Sequence, residues 1–294
     1  TGFATVAGGS SNNARGEYST VGGGGGNIAS GQNSTVGGGF NNNASGQGST
    51  IGGGHDNFAS NDFSTVAGGN TNLANGLDAT VAGGTNNIAS GTNSFAAGHH
   101  ANTNFHQGGF AWGDNSTSTD VSVTADNQFV ARTSGGVIFF TNSFMTTGVQ
   151  VAAGGGSWAS VSDRKVKANF AAIDGKKILA KLALLPVETW NYTSQDAAIR
   201  HIGPMAQDFY AAFQVGEDDR HITQVDEGGV AFAAIQGLNQ KLEEEIRHKD
   251  AALAAQQRQI EALQLQVREM MTRIAVVENA SARRGPVSQI ASSR

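Results

Sequence analysis

Cysteine is absent, so neither disulfides nor thiolate chemistry contribute, and an extracellular rod built from this chain must draw its stability from assembly. No apolar run approaches the ~20 residues that a membrane-crossing helix requires. Charge is scarce in the first hundred residues, where only Arg15, Glu17, Asp56, Asp62 and Asp78 carry any. Net charge is -5 and no basic stretch is long enough for a nucleic-acid footprint, which excludes nucleic acid as a partner. With 41 glycines among 294 residues, one large globular core is also excluded. Low charge with few aromatics reads as disorder unless a period is present, and here one is. The chain opens at Thr1 without methionine, as expected of a fragment or processed product with any export signal upstream.

Threonine recurs at Thr5, Thr20, Thr35, Thr50, Thr65 and Thr80, each followed by Val or Ile, at a period of fifteen. Gly8 to Gly98, Asn12 to Asn102 and Ala14 to Ala89 keep the same step. Two brief β-forming stretches between Gly and Asn turns predict a β-solenoid with one coil per repeat and about seven coils over residues 1–100. Each coil has only a Val or Ile and an Ala to bury, too little to offset the conformational entropy of its residues. Three rods packed about an axis bury a second face, and small side chains permit the approach. The pattern from Ser34 to Gly46 resembles the head repeats of trimeric autotransporter adhesins of the YadA type, whose period is more often one residue shorter.

Other chemistries fit less well. The aspartates form no regular rank, as a calcium-binding roll needs, and one Thr per coil is a line rather than a flat ice-binding array. Gly22 to Gly26 lacks the Gly-Lys-Ser/Thr of a phosphate loop and reads as a turn. Residues 101–161 read as a β transition. Phe110 to Asp114 and Asn127 to Phe140 are expected to close the rod with a hydrophobic plug, and glycines 154–156 to form a flexible junction. His99, His100 and His106 are candidate metal ligands about a threefold axis, but a solvated or stacked cluster is the preferred reading; no metal or other cofactor is expected.

From Ser162 the composition turns to helix formers. Ser162 to Lys167, Leu185 to Tyr192, His201 to Asp208 and the apolar-periodic run from Ile235 follow in an order that resembles the endosialidase-type intramolecular chaperones at the C-termini of phage tail spikes and fibres. The resemblance implies an α+β domain over residues 162–232 that aligns three chains and then releases itself by cutting between Val161 and Ser162. It also implies Ser162 as nucleophile, Lys167 as base, Asp163 in support, and His201, Gly203 and Gln207 as motif residues without a catalytic role. The chemistry is sound, because a serine hydroxyl needs a base and a partly desolvated lysine can be one. Five residues apart, Ser162 and Lys167 lie on different faces of a regular helix, so their contact requires a bend or a neighbouring chain. Without the resemblance, Ser162-Asp163 reads as a helix N-cap. Met205 and Phe209 depart from the family's apolar choices.

Ile246, Leu253, Ile260, Val267 and Ile274 hold one heptad position and Leu242, Lys249, Gln256, Leu263, Met270 and Val277 the other, predicting a trimeric coiled coil over 233–279. Residues 280–294 read as a disordered tail. The combined expectation is a homotrimeric fibre or adhesin segment on a virion tail or a bacterial surface, with a host surface or glycan receptor as its outside partner and a single-turnover serine peptidase in its own chaperone. The alternative is the C-terminal part of a tail spike with a glycan-degrading domain upstream. The repeats lack the carboxylate pair such an activity requires.

Overall fold

The computed structural model describes residues 2–283 and Gly285. The chain divides into two compact units between Val166 and Lys167, five residues beyond the boundary expected between 161 and 162.

The first unit is the solenoid. Nine parallel strands form one ladder in sequence order, from Thr5–Val6 through Thr20–Val21, Thr35–Val36, Thr50–Ile51, Thr65–Val66, Thr80–Thr85, Phe95–His99 and Phe110–Gly113 to Phe129–Arg132. Eight more form a second ladder, from Asn13–Ala14 to Val121–Ser122. Nine coils at ~4.8 Å make a rod about 40 Å long. The solenoid therefore runs past residue 100, where the repeat was expected to break. Phe95 pairs with Phe110 and Phe110 with Phe129 in register, their rings stacked at 4.8 and 4.6 Å. These aromatics continue the threonine rank on the outside of the rod instead of plugging its end.

Inside, the coils from Val21 to Ala89 contribute the Val or Ile and the Ala that the pattern marked, as with Val36 and Ala44 or Ile51 and Ala59, all fully buried, whereas Val6 in the first coil is 46% exposed and Ala96 and Ala111 take the valine rank further on. Two polar ranks accompany them. Ser19 and Ser49 close their own turns by donating to the Gly16 and Gly46 carbonyls at 2.7 Å. The asparagines form a continuous buried ladder. Asn57, for example, donates its side-chain amide to the Asn42 Oδ1 and the Gly53 and Gly69 carbonyls at 3.0, 3.1 and 2.9 Å, while its own Oδ1 accepts from the Asn72 backbone N–H at 3.0 Å. Such a network satisfies the corner carbonyls and fixes coil register at once. The corner glycines are held by space as well as conformation. Gly54 has φ +94°, and a Cβ there would lie 2.2 Å from the Gly69 carbonyl oxygen.

The ranks slip once. A bulge between Val81 and Gly84 pairs Gly84 with Gly98, and the Asn87 Oδ1 accepts from Ala101 N–H at 2.9 Å. Gly98 and Asn102 thus leave the ranks to which a constant period assigned them. Asn102 instead pairs with Ile88 on the outer face.

The last coils carry longer loops, tied by Arg132. Its guanidinium bonds Asp114 Oδ1 at 2.8 Å and the carbonyls of Asp114, His99 and Thr117 at 2.7, 3.1 and 3.1 Å. His99 and His100 stack edge to face at 4.5 Å, and His100 and His106 pair with Asp120 and Asp126 at 2.9 and 3.2 Å. The histidines serve the end loops separately. A three-stranded antiparallel sheet of Val137–Phe140, Gly148–Val151 and Ala159–Ser160 follows. Glycines 154–156 lie in its second connection, where Gly155 N–H bonds the Ala152 carbonyl at 2.8 Å. They lie in the loop that joins the second strand of this sheet to the third.

The second unit packs α1 (Gly175–Leu182), a two-stranded antiparallel sheet of Glu188–Trp190 and His201–Gly203, and α2 (Ala206–Phe213) against the start of α3 (Gln224–Arg283). Asp174 caps α1 by accepting from the Lys176 and Lys177 N–H groups at 3.1 and 3.2 Å. The core is Ile178, Phe209, Phe213, Val230, Ala233 and Ala234. Helix α1 meets α3 at two glycines, and a Cβ on Gly237 would lie 2.1 Å from the Gly175 carbonyl oxygen. Lys176 pairs with Glu244 above this crossing and holds its carboxyl below the usual range, by hydrogen bond and charge. Helix α3 continues through Arg283, so residues 280–283 are helical where a disordered tail was expected; most of the remaining tail lies outside the described residues.

Candidate functional site

The expected cleavage segment follows directly on the small sheet. Val161 N–H bonds the Gly148 carbonyl at 3.1 Å, tying the residue before the bond to the middle strand. Ser162 through Lys167 are all exposed. Arg164–Val166 form a single 3₁₀ turn. Asp163 nucleates it, with its Oδ1 accepting Lys165 N–H at 2.9 Å and its carbonyl accepting Val166 N–H at 3.2 Å. No regular α-helix spans Ser162 to Lys167, so helical phasing does not separate them.

The motif residues of the second unit lie around the two-stranded sheet. His201 is partly buried between Trp190 and Tyr192, with ring centroids 4.8 and 5.8 Å away, and its Nε2 meets Gln195 Oε1 at 2.9 Å. Gly203 and Gln207 line a cleft of about 490 Å³ with Trp190, Tyr192, Arg220 and Glu227. Trp190 Nε1 is buried there without a hydrogen-bond partner among the described residues. Phe209, an unusual choice by the family pattern, is 4% exposed and packs on Phe213 at 5.0 Å, whereas Met205 stays exposed at the start of α2. Gln195, Arg220 and Glu227 were not marked by sequence reasoning, because no local pattern distinguishes them from solvated polar residues.

Past Leu238, α3 leaves its apolar heptad positions open: Leu242, Ile246, Leu253, Ile260, Leu263, Val267, Met270, Ile274 and Val277 are each about half or more exposed. No helix among the described residues is long and apolar enough to cross a membrane.

Fold and site together define a protein of two parts, a parallel β-solenoid and a small α+β unit extended by a long helix. Residues 162–215 match the model of the peptidase family described as chaperone of endosialidase, a self-cleaving domain. The match supports a chaperone role of the tail fibre or spike kind and a phage-tail or extracellular setting. No curated protein matches the chain.

Proposed function

We propose that the chain is a segment of a homotrimeric fibre or adhesin whose C-terminal unit aligns three copies and then detaches by cutting between Val161 and Ser162. The observation that carries this reading is the position of the family match, which begins at Ser162, one residue after the last residue tied to the small sheet. Ser162 is the nucleophile and Lys167 its base, with Asp163 shaping the turn. Both reactive residues are exposed in the single chain. Packing of neighbouring chains over the segment supplies the desolvation that makes a lysine a useful base, so cutting follows assembly. The open heptad stripe of α3 supports self-assembly, since an apolar seam of this kind is buried by further copies of the same helix.

Mass spectrometry of the purified chain tests the cut. The expected products are residues 1–161 and 162–294. Ser162→Ala and Lys167→Ala should each leave the chain whole, the first without its nucleophile and the second without its base. An intact wild-type chain, or a cut elsewhere that persists in Ser162→Ala, would refute the assignment. Light scattering of the uncut chain tests the trimer, and a monomer or dimer mass would refute it.

A further inference from the structure

The small sheet after the solenoid has no interior. No residue from 132 to 161 is buried, although the stretch holds Ile138, Phe139, Phe140, Phe144, Met145 and Trp158, exposed by 47 to 82%. Three strands stand alone in water only when an apolar face is covered. The single ring contact across the sheet, Phe139 to Trp158 at 5.8 Å, covers little. At ~200 Å² per large side chain these six leave on the order of 700 Å² open per chain. That area is divided between the two faces of the sheet, with Ile138 and Phe140 on one and Phe139 and Trp158 on the other, and in total it is close to the ~800 Å² each partner contributes to a standard interface, as suits a copy that meets two others in a trimer.

The occupant is the same segment of a second copy. Residues 133–161 contain no Asp, Glu, Lys or Arg, so copies meet without like-charge repulsion, whereas a charged partner finds nothing to pair with. Location then gives the contact its role. The heptad stripe of α3 lies after Ser162 and departs with the C-terminal piece. The small sheet lies before the cut, and Val161 remains bonded to its middle strand.

We propose that this sheet is a clamp that keeps the stalk trimeric once the C-terminal unit has left. The inference rests on the trimer reading but not on self-cutting, and its test separates the two. A specific protease sequence is placed after Val161 in the full Ser162→Ala chain, so that release is imposed after assembly, and sedimentation gives the mass before and after. The stalk piece should stay trimeric. Ile138→Ser with Phe140→Ser, two residues on one strand face, should leave the uncut chain trimeric and lower the stalk piece to one third of its mass on release. A second readout exploits the lack of cysteine: Ile138→Cys in the uncut chain should react with a thiol reagent at least ~10-fold more slowly than in urea. If the double variant does not assemble, this labelling decides alone. Dissociation of the wild-type stalk on release, survival of the double variant's stalk, or labelling at the unfolded rate would each overturn the clamp. A monomeric uncut chain would overturn the trimer reading and the clamp together.

Discussion

Replacing Asn57 by alanine tests whether the buried asparagine ladder holds the solenoid in register. In the wild-type protein Asn57 Oδ1 is the acceptor for Asn72 N–H, and its amide serves the Gly53 carbonyl. The Gly69 carbonyl keeps a second donor, His55 N–H at 2.9 Å, and so is not stranded. Alanine therefore strands one fully buried N–H and one partly buried carbonyl, at ~1–3 kcal/mol for a buried group, or roughly 3 kcal/mol per chain. For a solenoid of this size that lowers Tm by about 10 °C. Asn12 makes the same kinds of bond, to Asn27 N–H, Gly8 and Gly24, but is only partly buried, so water can replace it. Asn12→Ala is expected to cost a third as much or less. The assay is thermal unfolding of the full chain followed by far-ultraviolet circular dichroism at one fixed protein concentration. Equal shifts for the two variants, or a shift within ~2 °C for Asn57→Ala, would show that the ladder does not carry the register.

Gly54→Ala should destabilise by roughly 3 kcal/mol, because its Cβ meets the next coil's backbone at 2.2 Å, whereas Gly23→Ala, with nothing within 4 Å, should stay within ~0.5 kcal/mol; melting of the two side by side checks this. Hydrogen bonds from Ser116, then Ser134 and Arg132, hold the Asp114 carboxyl well below the usual range, so its contribution is present above the unfolded carboxylate pKa of ~4 and is lost as pH falls below it. The Tm gap between wild type and Asp114→Asn should accordingly be constant from neutral pH to about 4 and narrow below that. Gly237→Val should push α1 off α3 at the Gly175 crossing, and hydrogen exchange should show amides of α1 losing protection while the nine-strand ladder keeps its own; unchanged protection in α1 would refute the crossing as the anchor of the chaperone unit.

The sequence by itself determined the solenoid and most of its interior, because in-register parallel coils put every fifteenth residue in one environment and so repeat one residue type. It also placed the chaperone match at Ser162, where a run of glycine and asparagine gives way to helix formers. Tertiary structure decided what repetition left ambiguous. Gly83-Gly84 offers two adjacent glycines, so a slip by one keeps the glycine rank intact but puts Ala101 where Asn102 was expected, and only the hydrogen bonds between coils select Gly84 for Gly98 and Ala101 for the asparagine rank. Alanine takes the valine rank at Ala96 and Ala111 and the loops lengthen beyond residue 100, which hides the period although the Phe95, Phe110 and Phe129 rank carries the ladder on to Arg132. In the second unit, the pairing of Gly175 with Gly237 and the packing of His201 on Trp190 join residues far apart in the chain, and no local spacing encodes a close approach made by a separate element.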